Sequence, residues 1–129
     1  MLIQDGQKRV KMLMNSLNFN PGDIVVATIL FSEQVGAKKR LALVLSNIEY
    51  NKKSDDIILL KITSKGKKNK YYAELTQKDL EEGKIKLESQ IMVDNPVTTY
   101  KQLIESKVGR ITKQKLKEVK QKTKELYEL

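Results

Sequence analysis

Cysteine, histidine and tryptophan are all missing from this 129-residue chain, and proline occurs only twice. Without cysteine there is no disulfide framework, no thiol nucleophile and no cysteine-based zinc site. Without histidine the commonest general base is gone as well, so any catalysis falls to arginine, lysine, serine, threonine, tyrosine or carboxylates. No apolar run approaches the roughly 18 residues of a membrane-spanning helix, and the start Met1-Leu2-Ile3-Gln4-Asp5 lacks the basic-then-apolar order of a signal peptide. A cytoplasmic protein with no membrane partner is expected. Acidic residues are in short supply too, 16 against 25 basic ones, for a formal net charge of +9. Such an excess favours a polyanionic partner, and charge alone does not choose among nucleic acid, an acidic protein and an anionic membrane surface.

The length suits one domain with a real core. Val10, Leu13, Met14 and Leu17 fall at helical spacing and predict an amphipathic helix over 7–17, an arm of residues 1–18 set before the main domain of 19–129. Asn18-Phe19-Asn20-Pro21-Gly22 then reads as a turn. Strands are expected from Asp23 to Phe31, from Arg40 to Ile48 and from Asp56 to Thr63, with a polar loop over 32–39 and a turn over 50–55, which together make an antiparallel meander. After the basic loop 64–70, a short strand is expected over 71–75, then one or two helical turns capped by Thr76 and closed by Gly83. A further strand should run through 84–87 and 90–93, bent near Ser89 and ended by Asn95-Pro96. Residues 100–104 read equally as a helical turn or an edge strand. From Thr112 onward, Leu116, Val119, Thr123 and Leu126 repeat at helical spacing and predict a C-terminal helix with a solvated lysine face.

Within this pattern Lys39-Arg40-Leu41-Ala42-Leu43-Val44-Leu45-Ser46 sets a cation against an apolar run that suits a strand buried on both faces. Among the 25 basic residues only Arg9, Arg40 and Arg110 are arginines, which suggests that lysine serves wherever charge alone suffices. A guanidinium on a rigid strand presents two parallel donors to an oxyanion. On the residues alone Arg40 is either such a fork or the solvated end of a strand. Thr63 is open in the same way between a hydroxyl donor and a β-branched strand end, and Gln90 between a base-reading amide and an edge-strand polar residue. Tyr50, Tyr71 and Tyr72 either stack on bases or sit at the rim of the core. The adjacent pairs Asp55-Asp56 and Glu81-Glu82 point apart, and no metal site is expected.

The order of these signals resembles the MazF/PemK-like toxin family. The matching pieces are Pro21-Gly22-Asp23-Ile24-Val25, Arg40 with Ala42-Leu43-Val44-Leu45-Ser46, and Ile62-Thr63-Ser64. Leu87-Glu88-Ser89-Gln90-Ile91 with Asp94, and Lys107-Val108-Gly109-Arg110-Ile111-Thr112, complete them. The chain departs at Leu41, where the family usually has proline, and at Met92, where many relatives carry arginine. The resemblance implies a mainly β fold with α, a small, strongly bent antiparallel barrel of the Src-homology-3-like type, with the N-terminal helix as an extra, and usually a homodimer. It implies the toxin of a type II toxin–antitoxin system, an endoribonuclease that cuts single-stranded RNA and is silenced by an acidic antitoxin.

Under that resemblance Arg40 and Thr63 are the catalytic pair, with Ser64 sharing the work. RNA brings its own nucleophile, the 2′-hydroxyl, so neither metal nor cofactor is called for. Lys38, Lys39, Lys65, Lys67, Lys68 and Lys70 would hold the flanking phosphates, and Gln90 would touch a base. The competing expectation is a non-catalytic nucleic-acid- or protein-binding member of the same fold. A gyrase poison of the CcdB kind is one form of it, but those proteins share a C-terminal tryptophan, where this chain ends Leu126-Tyr127-Glu128-Leu129.

Overall fold

The computed structural model describes residues 18–30, 37–66 and 68–129. The expected arm over 7–17, residues 31–36 and Lys67 lie outside them.

β-Branched and aliphatic residues make the centre of the sheet. β1 (Asp23–Leu30) and β2 (Ala37–Val44) pair antiparallel, with Ile24 opposite Leu43, and β3 (Asp56–Thr63) continues the meander beside β2. With β4 (Tyr72–Leu75), β5 (Leu80–Glu82), β6 (Ser89–Tyr100) and β7 (Ile104–Ile111) they form one seven-stranded antiparallel sheet in the order β4-β6-β3-β2-β1-β7-β5. It curls into a half-barrel accompanied by α1 (Ile48–Lys53) and α2 (Lys113–Tyr127).

Each face of the sheet carries its own apolar cluster. Ile24, Leu43, Leu60, Ile62, Ile91 and Val93 lie on one face, covered by Val119 of α2 with Leu116 and Leu126 packed alongside. Phe19, Val25, Ala27, Ala42, Val44 and Leu59 lie on the other. Burial on both sides is why β2 and β3 read as apolar runs rather than alternations. At about 1.5–3 kcal/mol for each large aliphatic side chain, this double core is the main force holding the sheet. α2 begins where expected, the Thr112 hydroxyl accepting from the Lys115 N–H at 3.1 Å.

A buried ionic cluster joins the first strand to the last. Asp23 is fully buried, and its carboxylate lies 3.0 Å from Arg110 Nε and 3.0 Å from Lys107 Nζ while accepting from the Asn20 N–H at 2.9 Å. The hydrogen bond to Asp23 raises the Arg110 pKa further above its already high value. Glu81 and Glu82 both approach Arg110 Nη1, at 3.9 and 3.8 Å, rather than pointing apart. The Pro21-Gly22-Asp23 and Lys107-to-Arg110 signatures are thus two halves of one structural clasp.

Several expected boundaries are corrected. β2 starts at Ala37, so Arg40 lies inside the strand, and Lys38 and Lys39 are strand rather than loop residues. The expected turn over 50–55 is mostly α1, started by Asn47, whose side chain accepts from the Tyr50 N–H at 2.8 Å. Asn51 then anchors it from within, donating 2.8 Å bonds to the carbonyls of Phe19 and Ser46. Thr76 and Asp79 do form a capping box, but it closes a single 3₁₀ turn (Gln77–Asp79) followed by β5. Residues 84–87 form a loop, not a strand; the Gln77 amide holds its start, donating to the Gly83 carbonyl and accepting from the Ile85 N–H.

β6 does not end at Pro96. Leu60 faces Pro96 while Ile62 faces Ile91, so a bulge over 92–95 bends the strand, and proline beside a bulge costs little ladder bonding. A 3₁₀ turn (Lys101–Leu103) then leads into β7, a strand not foreseen from the sequence.

Candidate active site

β2 and β3 are partners only as far as Ala42 opposite Lys61. Beyond that rung β2 stays with β1, Arg40 opposite Ala27, while β3 stays with β6, Thr63 opposite Gln90. The wedge between them is a cleft of about 560 Å³. Its walls are Lys39, Arg40 and Leu41 from β2, Lys61 to Lys65 from β3 and its loop, and Ser89, Met92 and Asn95 from β6. Residues two apart on a strand share a face. Arg40 therefore shares a face with Ala42, and Lys61 and Thr63 share one with Leu59, so the polar cleft begins where the second apolar cluster stops.

Lys39, Arg40, Lys61 and Lys65 line this space, and no acidic side chain does among the described residues. An anion entering it meets four basic side chains. Arg40 is exposed. Lys39 contacts Glu105 at 2.6 Å, but the two side chains are 65% and 51% exposed, so that pair contributes at most about 1 kcal/mol and yields readily to a phosphate.

The two hydroxyls differ in readiness. Thr63 Oγ1 donates to the Lys65 carbonyl at 2.8 Å and accepts from the Lys65 N–H at 3.1 Å, so it shapes the loop that follows. To donate elsewhere it must give up a bond worth about 1 kcal/mol. The Ser64 hydroxyl has no hydrogen-bond partner among the described residues and lines the same cleft.

Not every expected RNA-binding residue reaches this cleft. Gln90 and Lys68 line an adjoining recess of about 180 Å³ that shares Thr63, Ser64 and Ser89 with it. Lys68 also pairs with Glu74 at 3.2 Å. Lys70 lies 5.1 Å from the Tyr71 ring centre, and Lys38 is exposed on β2, and neither lines the cleft. Lys67 lies outside the described residues. Tyr72 lines a third recess with Gln90, and burial followed by the nearby Asp94 raises its pKa, keeping the phenol a neutral donor. Lys61, Ser89 and Asn95 line the cleft without having been singled out for it. For Lys61 the signal was available: a lysine amid the apolar run of β3, two residues before Thr63 and so on its face.

A strongly bent antiparallel half-barrel with a cationic, hydroxyl-bearing cleft where two central strands part is a recognisable class of small β protein. Within that class, a model of the family "PemK-like, MazF-like toxin of type II toxin-antitoxin system" matches residues 20–127, and the chain belongs to this family. Solved structures agree in fold. A MazE–MazF complex from Deinococcus radiodurans superposes with a TM-score of 0.72 at 18% identity, covering 88% of this chain and 99% of that one. An endoribonuclease from Mycobacterial species gives 0.68 at 14% identity, covering 88% and 94%. A second from the same source, in complex with its cognate antitoxin, gives 0.69 at 15% identity, covering 85% and 95%. At such identities the likeness carries the fold alone. No curated protein matches the chain.

Proposed function

We propose that this toxin is an endoribonuclease that cuts single-stranded RNA in the β2–β3 cleft by attack of a 2′-hydroxyl on the adjacent phosphate. The observation that carries the reading is the meeting of Arg40 with Thr63 and Ser64, 20 and more residues apart in sequence, around one cleft that no acidic side chain lines among the described residues. The reaction needs the 2′-oxygen aligned with phosphorus and donors for the charge that builds on the phosphorane. Arg40 supplies the fork that holds two phosphate oxygens, and its role is electrostatic because a guanidinium does not give up its proton in this range. Ser64 donates without rearrangement. Thr63 donates by exchanging the Lys65 carbonyl for a phosphate oxygen while its lone pair still holds the Lys65 N–H. Gln90 in the adjoining recess meets a neighbouring base, and Lys39 and Lys65 meet the flanking phosphates.

Two partners follow from the same reading. An acidic antitoxin segment, disordered when free, lays a carboxylate against Arg40 where the scissile phosphate otherwise sits. Two copies of the chain associate through apolar edges, because the net charge of +9 opposes contact through the basic loops. The site of action is the cytoplasm, where message is found.

The test is an end-labelled single-stranded RNA incubated with purified protein in excess chelator. Attack by the 2′-oxygen expels the 5′-oxygen, so the expected products carry a cyclic 2′,3′-phosphate and a 5′-hydroxyl. Products with 5′-phosphate ends, or no cleavage across a panel of sequences, would overturn the proposal.

A further inference from the structure

Lys61 occupies the last rung that β2 and β3 share, so it stands at the apex of the wedge, with Thr63 two residues beyond it on its own strand and Arg40 two residues from its partner Ala42 on the other. Lysine is disfavoured in strand interiors, and this one interrupts an apolar run between Leu60 and Ile62, both buried. It is half-buried and lines the cleft, as expected of a side chain whose aliphatic stem can be covered while its charged end stays in water. Of the four cations there, Lys39 spends its charge partly on Glu105 and Lys65 sits on an exposed loop. Lys39, Arg40 and Lys61 are carried on paired strands, and of these Lys61 alone is half-buried and stands on the last rung that β2 and β3 share; a donor fixed before the reaction stabilises developing charge more than one that must be ordered during it.

We infer that Lys61 is a further catalytic residue of this cleft, placing its ammonium on the scissile phosphate across from Arg40; the inference rests on the endoribonuclease reading above. Arg40 fixes the orientation of the phosphate with its planar fork, and Lys61 adds an undirected point charge that follows the phosphorane as its geometry changes. The bond that forms joins the 2′-oxygen to phosphorus and the bond that breaks is that to the 5′-oxygen; the 2′-hydroxyl proton passes to solvent and the departing 5′-oxygen takes one from solvent, so no atom of Lys61 is exchanged.

The experiment compares wild type, Lys61→Met, Lys61→Arg and Arg40→Ala on one short single-stranded RNA under single-turnover conditions. Binding of the same RNA carrying a 2′-deoxy nucleotide at the cut is measured over a range of salt. Lys61→Met keeps an unbranched stem without the charge. It should cut on the order of 100-fold more slowly, as expected for loss of one oxyanion donor, while Lys61→Arg recovers most of the rate. The slope of log affinity against log salt should fall by about 0.7 for the one lost contact, which a purely structural role would leave unchanged. Should Lys61→Met fail to melt cooperatively, Lys61→Gln takes its place. A rate within threefold of wild type for the neutral variant, beside an inactive Arg40→Ala, overturns the role of Lys61 and leaves the endoribonuclease reading standing. An Arg40→Ala variant as fast as wild type overturns that reading itself.

Discussion

At the scale of single residues the cleft separates charge from geometry. Arg40→Ala should abolish cleavage and growth arrest without lowering the melting temperature, because the side chain is exposed. Arg40→Lys keeps the charge and loses the fork, so it should be nearly as inactive. An alanine variant still toxic on induced expression would remove Arg40 from the mechanism. The two hydroxyls are separable as well. Ser64→Ala removes a donor that holds nothing else, and its loss should appear in the cleavage rate alone, by about 10²-fold if it carries the donor role. Thr63→Val also releases the Lys65 backbone. It should therefore raise hydrogen exchange at Lys65 along with lowering the rate, and unchanged exchange there would contradict the arrangement.

At the scale of elements, β5 and β7 approach so closely that two glycines interlock. A Cβ on Gly109 would lie 2.7 Å from the Glu82 carbonyl oxygen, and one on Gly83, which also has φ +92°, would clash with that of Val108. Gly109→Ala should destabilise the fold by about 1–3 kcal/mol, read as a lower urea midpoint. Asp23→Asn should cost about 3 kcal/mol, since it leaves Lys107 and Arg110 facing a neutral amide, while activity per folded molecule stays constant.

Elements also show what a sequence exposes. β1, β3 and α2 were legible because each repeats one simple pattern over eight residues or more. α1 was not, since one cap at Asn47 and one buried amide at Asn51 hold it, and neither leaves a periodic trace. Residues 84–87 alternate like a strand yet have no strand beside them, whereas β6 passes through proline because its bulge lies there. In the site, Arg40 and Thr63 were readable from their place in a familiar order of motifs. Lys61 showed only as a lysine amid an apolar run, because its place in the cleft depends on where β2 and β3 cease to pair.

At the scale of the whole molecule, a net charge of +9 and a cleft lined by four basic side chains should make RNA affinity fall steeply between low and moderate salt. An acidic antitoxin peptide should displace the RNA in a competition titration. Simultaneous binding of both would place the inhibitor elsewhere. Light scattering at micromolar concentration should return twice the mass of the 14.8 kDa chain, and a monomer would remove the dimer from the proposal.

The clasp between Asp23 and Arg110 also bears on synthesis. β1 is made well before its second neighbour β7, so one edge of the growing sheet stays unpaired while the chain from Leu30 to Ile111 is translated. At about 5–20 residues per second that interval lasts roughly 4 to 16 s. β2, β3 and β6, which carry the cleft, are all complete before it closes. A nascent toxin therefore has its walls in place while β1 still offers an open edge to the first extended peptide it meets.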